Sequence, residues 1–287
     1  MFYIVTDTTA DLPVEFMQEH NVGCIALSYI IDGITYGQGN DLPAKQFFDM
    51  MRAGKMPTTS QVNPVEAYAY FKKLIAKEKE ILVLPLSQGI SGSYNSLRIA
   101  ANDIMTDFPG CRIVVMDTLC ASLGEGMLVY RAIELRDKGC SLDETLEWLE
   151  ARKLEIVHVF TVDDLFHLFR GGRVSRTAAV IGTLAGIKPM LHMDNEGHLI
   201  NIDKVRGRKK SLQAMVDYME LKRKNYKEFD DIFMISHGDC PEDAEYVANL
   251  VKERFGIQNC IINSLGPVIG THTGPGLVAL FFMGESR

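Results

Sequence analysis

The stretch Ile81-Leu82-Val83-Leu84-Pro85-Leu86-Ser87-Gln88-Gly89-Ile90-Ser91-Gly92-Ser93-Tyr94-Asn95-Ser96 decides how the rest of this 287-residue chain is read. A continuous apolar run stops at small hydroxylated residues and glycines, and a helical pattern follows. That order marks a strand buried on both faces, as in a parallel sheet, feeding a turn and a helix. In open α/β sheets ligands sit beyond the carboxyl ends of the strands, where helix starts offer unpaired N–H groups to an anion. The tip Ser91-Gly92-Ser93 is therefore the first candidate binding element.

The same order recurs on either side. Upstream, Phe2 to Thr6 reads as a strand ending at Asp7-Thr8-Thr9-Ala10-Asp11-Leu12-Pro13, and Val22 to Ile31 as a second strand. Asp32-Gly33 reads as a tight turn into Ile34-Thr35-Tyr36, a hairpin arm. Met56 to Asn63 reads as a polar loop, with a helix beginning at Pro64. Downstream come a strand at Ile113 to Thr118 and helices over 124–138 and 141–152.

The second half reads as a strand at Ile156 to Val162, a helical segment at 163–169 and a buried apolar helix from Thr177 to Ile187. A β-hairpin then turns at Asn195-Glu196-Gly197. Helix 211–224, strand Asp231 to His237, helix 241–255 and strand Ile257 to Leu265 follow. The tail Val268 to Phe282 reads as a Gly-rich polar loop with an apolar end. Alternating strands and helices give the α/β class. Two α/β domains are expected. Residues 1–153 would hold a mostly parallel sheet with helices on both faces, and 154–287 a mixed α/β domain. The ligand would lie between them, with the last segment free to pack back on the interface.

A formal net charge of −7 argues against a nucleic-acid surface, which needs concentrated Lys and Arg. The six cysteines are scattered, with no C-x-x-C pair, so reduced cytoplasmic thiols are expected in place of a zinc site or a disulfide framework. The start Met1-Phe2-Tyr3-Ile4-Val5-Thr6 lacks signal-peptide character, and no run approaches the ~20 apolar residues of a membrane-spanning helix. A cytoplasmic protein is the expectation.

Two chemistries compete for the tip. Gly89-Ile90-Ser91-Gly92-Ser93 approaches the G-x-S-x-G elbow that presents a serine nucleophile. Ser91, Asp163 or Asp239, and His272 stand in the chain order of a hydrolase triad, giving a serine hydrolase acting on an acyl ester as the alternative reading. In the other reading Thr59, Ser60, Ser91, Ser93 and His272 are short hydrogen-bond donors around a carboxylate. Neutral donors avoid the desolvation cost of a buried ion pair and suit an acid with an apolar tail. Asp7, Asp11 and Asp117 at neighbouring strand ends resemble a metal site, but helix capping accounts for Asp7 and Asp11 without a metal. His158 and His192 alternate with apolar residues and read as core histidines.

Six motifs in one order extend this second reading. They are Thr6-Asp7-Thr8-Thr9-Ala10-Asp11-Leu12-Pro13, Pro57-Thr58-Thr59-Ser60-Gln61, Gly89-Ile90-Ser91-Gly92-Ser93-Tyr94, Arg170-Gly171-Gly172-Arg173-Val174-Ser175, Lys188-Pro189 and Gly270-Thr271-His272-Thr273-Gly274-Pro275-Gly276. Together they resemble the DegV family across essentially the whole chain. The resemblance implies a bacterial fatty-acid-binding protein of two α/β domains with the lipid between them. It further implies a non-catalytic subunit that presents a long-chain fatty acid to a fatty acid kinase, whose catalytic subunit makes acyl phosphate for phospholipid synthesis, with no cofactor on this chain. Position by position it places the carboxylate on Thr59 and Ser91, with His272 close by. Arg170 and Arg173 would face the opening, toward the kinase partner or the transferring phosphate. Ser93 stands where the family more often has Thr, and Asn95 where Gln is expected.

Overall fold

β-Branched and apolar runs become strands, and the Pro- and polar-capped segments between them become helices. The computed structural model describes residues 2–37, 39–163, 165–175, 186–226, 228–229 and 231–287. The first half runs β1 (Tyr3–Asp7), α1 (Val14–Glu19), β2 (Val22–Ile25), β3 (Ser28–Ile31), β4 (Ile34–Tyr36), α2 (Ala44–Arg52), β5 (Thr58–Ser60) and α3 (Pro64–Leu74). It continues with β6 (Glu80–Leu84), α4 (Ser93–Asp107), β7 (Arg112–Val115), α5 (Leu123–Asp137) and α6 (Leu142–Arg152). The second half runs β8 (Ile156–Thr161), α7 (Phe166–Arg170), β9 (Ile187–Met193), β10 (Leu199–Arg206) and α8 (Arg208–Arg223). It ends with β11 (Ile232–His237), α9 (Pro241–Phe255), β12 (Asn259–Ser264), α10 (Pro267–Thr273) and β13 (Val278–Met283).

Strands β2-β1-β6-β7 form an all-parallel sheet, in which β6, the strand quoted at the outset, is central and buried from Ile81 to Leu84. Six strands in the order β10-β9-β8-β13-β11-β12 form a mixed sheet whose only parallel pair among the described strands is β11 with β12. A third, antiparallel sheet, β4-β3-β5, is the arm closed by the turn at Asp32-Gly33.

Helix α5 joins the two large sheets. Eleven of its 15 residues are buried, and it touches β1 and β6 on one side and β8, β11 and β13 on the other. A helix enclosed on all sides has no polar stripe to show water, so its sequence lacks a helical period. One core runs from the parallel sheet through α5 to the near face of the mixed sheet. A second lies on the far face under α8 and α9, with Met215, Val216, Phe233 and Val247 at its centre.

Three readings of the sequence are corrected. Val22 to Ile31 is two strands, because the chain leaves the parallel sheet after Ile25 and the Leu27 N–H turns to Thr8 Oγ1 (3.1 Å). The loop 56–63 contains β5, whose pairing partner β3 lies some thirty residues earlier and is invisible to local pattern. The Gly-rich start of the tail is helix α10; Gly270 is required there because a side chain would meet the rings of Phe47 and Phe48. The apolar helix expected over Thr177 to Ile187 falls mostly outside the described residues, and Ile187 itself opens β9.

Buried carboxyl groups knit the N-terminal loop to α5. Asp7 accepts from the N–H groups of Thr9 (2.8 Å) and Leu86 (3.0 Å), and so caps the short turn that follows β1, as its sequence position suggests. Asp11 caps no helix of its own, contrary to expectation, since α1 has no side-chain cap. Glu125, fully buried in α5, lies 2.8 Å from Thr6 Oγ1 and 3.1 Å from Thr9 Oγ1. Each hydroxyl has one proton to give. Thr6 shares its proton between the Leu84 carbonyl (2.8 Å) and Glu125, and Thr9 between Asp7 (2.5 Å) and Glu125, so a proton on Glu125 adds a donor to a cluster short of them. Burial, and secondarily the charge of Asp7, push its carboxyl well above the usual carboxylate range, which agrees with that count.

A consequence for stability follows. Above about pH 4.5 the unfolded chain releases this proton while the fold retains it, so the contribution is full below that value and is lost as pH rises. Glu125→Gln stays neutral throughout. Its melting temperature relative to the native protein should climb between pH 5 and pH 8 in scanning calorimetry; a difference that stays constant with pH would contradict a neutral Glu125.

Candidate functional site

A cavity of about 220 Å³ opens where the carboxyl end of β6, strand β5, helix α10 and the mixed sheet meet. Its walls are apolar, with Leu27, Leu86, Phe160, Leu265, Val268 and Phe281 among them. Its polar groups are few, and most of them come from the motifs singled out in the sequence.

Strand β5 brings Thr59 and Ser60 to the wall, the turn before α4 brings Ser91 and Gly92, and α10 brings His272. Thr59 Oγ1 lies 2.8 Å from His272 Nε2, which joins the two halves of the chain through one hydrogen bond. Ser91 accepts from the Ser93 N–H (3.2 Å) and donates to Ser93 Oγ (3.0 Å), which also accepts from the Val62 N–H (3.1 Å). Ser93 is fully buried behind the wall, so it holds Ser91 and the strand-end backbone without lining the cavity.

His272 is half-buried, and burial followed by the nearby charges of Arg173 and Arg170 lowers its pKa to about 3. The imidazole is therefore neutral at physiological pH and acts as a hydrogen-bonding group, not a counter-ion. Its Nδ1 is buried without a partner among the described residues. Arg173 lines the cavity, where its Nε donates to the Ile90 carbonyl (3.0 Å) and Nη1 to that of Gly171 (2.5 Å). Arg170 donates to the Thr271 carbonyl (3.3 Å). Both arginines thus brace the polar end, and the carboxylate reading built only on neutral donors gains a cation at the wall.

The hydrolase constellation is not assembled. Among the described residues His272 pairs with Thr59 and not with Ser91, and no acid orients its other ring nitrogen. Asp163 is engaged with Lys188 (2.6 Å), and Asp239 with Arg52. Nor do Asp7, Asp11 and Asp117 assemble: among the described residues no group of three or more His, Cys, Asp or Glu side chains is placed to hold a metal.

Gln61, Ser122 and His158 line the cavity and were missed as site residues. Ser122 had a usable signal, since it closes the polar loop beyond β7 just as Ser91 does beyond β6. His158 is buried, as its apolar neighbours indicated; its Nδ1 lies 3.1 Å from the Ile156 carbonyl and its Nε2 accepts from the Ala121 N–H (3.3 Å). Among the described residues no helix is long and apolar enough to cross a membrane.

The family model described as an uncharacterised protein of the DegV family matches residues 1–285. A DegV domain-containing protein of Clostridium perfringens is 40% identical over 288 residues, covering 100% of this chain and 98% of the relative. Among solved structures, a DegV family protein of Thermus thermophilus described as fatty-acid-binding superposes with a TM-score of 0.87 at 29% identity, covering 99% of both chains. The fatty-acid-binding DegV of Bacillus subtilis does so at 0.86 and 28%, again over 99% of both. A fatty-acid-binding DegV family protein of Streptococcus agalactiae does so at 0.86 and 30%, over 100% of this chain and 99% of that one. With sequence and fold matched from end to end, the chain belongs to the DegV family.

Proposed function

We propose that this protein binds a long-chain fatty acid, with the carboxylate on Thr59 and Ser91, His272 close by, and the acyl chain along the apolar walls. The supporting observation is the make-up of the cavity: Thr59 and His272 meet 2.8 Å apart at its wall, Ser91 lines it as well, and most of the other lining side chains are hydrophobic. Each methylene buried there contributes about 0.8 kcal/mol, so chain burial supplies affinity while the polar end fixes direction. The two halves, 1–153 and 154–287, act as two domains that wall the ligand. The solved relatives described as fatty-acid-binding agree with this reading.

With Nε2 protonated, His272 donates to Thr59 Oγ1 and leaves the Thr59 proton free for the carboxylate. Ser60 and Gly92 edge the same end. Among the described residues His272 pairs with Thr59 and not with Ser91; the role read here is to carry the acid in the bacterial cytoplasm and present it to the catalytic subunit of a fatty acid kinase. That subunit makes acyl phosphate for phospholipid synthesis. Arg170 and Arg173, braced beside the carboxylate, would keep a positive potential there for the anionic phosphate and the partner's surface.

Denaturing extraction of the purified protein followed by mass spectrometry should release long-chain fatty acid. Protein that yields none and fails to bind added palmitate would contradict the reading. Thr59→Val removes a donor to a charged group, a loss of about 1.5–3 kcal/mol, and palmitate affinity should fall about tenfold or more; unchanged affinity would place the carboxylate elsewhere. Covalent labelling of Ser91 by a fluorophosphonate would favour the hydrolase, and none is expected. His272 should remain neutral in the ring-proton NMR spectrum from pH 8 down to pH 5. Because its folded pKa lies below 6.5, its contribution to stability is full above that value and is lost as pH falls toward 3; a titration midpoint near 6.5 would show that it is not held as described.

A further inference from the structure

We infer that Asp11 is a positioning residue for the ligand carboxylate: from the N-terminal loop it pins the start of α10 and thereby sets His272 against Thr59. This rests on the fatty-acid reading of the cavity.

Asp11 is buried, and its three hydrogen bonds run to places that matter for the site. Its Oδ1 accepts from the N–H of Gly266, the residue that caps α10 (2.8 Å). Its main-chain carbonyl accepts from Asn263 Nδ2 at the end of β12 (2.8 Å). Its Oδ2 accepts from Ser122 Oγ (2.6 Å), which lines the cavity and lies 2.7 Å from Ser236 Oγ in β11. The Asp11 backbone is held at φ 53°, in the left-handed region that non-glycine residues seldom occupy. A side chain at 266 would begin 3.0 Å from Asp11 Oδ1, so glycine there permits the approach.

Helix α10 has seven residues, of which Val268, Ile269, His272 and Thr273 face the cavity. From Gly266 to His272 the rise is about 9 Å. Over so short a helix a displaced start is not absorbed before His272, and the 2.8 Å contact with Thr59 depends on where that start is held. Asp11 does not line the cavity, and so acts only through α10 and Ser122.

The test compares affinity for palmitate with affinity for methyl palmitate in the native protein and its variants, with each fold checked by thermal melting. The two ligands share the acyl chain and differ at the carboxylate, so a residue that merely supports the cavity changes both equally. Asp11→Ala should lower the acid-to-ester affinity ratio at least tenfold. Asp11→Asn keeps an oxygen for the Gly266 N–H and should restore the ratio to within about threefold of native. Should Asp11→Ala fail to fold, Asp11→Ser, whose hydroxyl is too short to reach that N–H, carries the same expectation. An unchanged ratio in the alanine or serine variant, equal losses for acid and ester, or no recovery in Asp11→Asn would overturn the assignment. Failure of the native protein to bind palmitate is read before any variant is made; it would overturn the fatty-acid reading and this assignment with it.

Discussion

Three carboxyl groups, those of Asp7, Asp11 and Glu125, are withdrawn from water between two sheets, and the arrangement of the chain follows from keeping them satisfied. A buried carboxyl without hydrogen-bond partners costs several kcal/mol. The chain meets that cost by bringing the loop after β1, the start of α5, the end of β6 and the entry to α10 to one place. Of these, the end of β6, the turn into α5 and the helix α10 also line the cavity. Satisfying the acids and forming the pocket are therefore a single packing problem, with α5 as the wall common to both sheets.

The chemistry of the pocket reflects the same restraint. Beside the cation of Arg173, its wall carries hydroxyls and a neutral imidazole, groups able to bond a carboxylate without adding another buried charge. Burial, and secondarily the charges of Arg173 and Arg170, keep that imidazole neutral, and each arginine donates to backbone carbonyls.

Much of this was legible in the sequence, where the signal was local. Helix α9 begins at Pro241 and stops at Gly256 in the left-handed conformation, both marks readable from the chain. The parallel strand β6 and its serine tip follow from hydrophobic run length and composition. Thr59 and His272, which the family resemblance groups around one carboxylate, lie 2.8 Å apart. What escaped depended on partners distant in sequence. Strand β5 has three residues and exists because β3 pairs with it. Helix α10 carries two glycines and two threonines against helix propensity if its capping Gly266 is counted, and is held by Asp11, Phe47 and Phe48. Asp11 itself looked like a helix cap, because nothing near it in sequence reveals that its acceptors serve residues more than a hundred positions away.

The central claim is that the polar end of the cavity binds a carboxylate and the apolar end its chain. A crystal structure of the protein with palmitate tests this most directly. The account places the carboxylate within hydrogen-bond distance of Thr59 Oγ1 and Ser91, with the chain running past Phe160 toward Phe281. A ligand bound in the reverse direction, or density confined to another surface while this cavity stays closed, would contradict it.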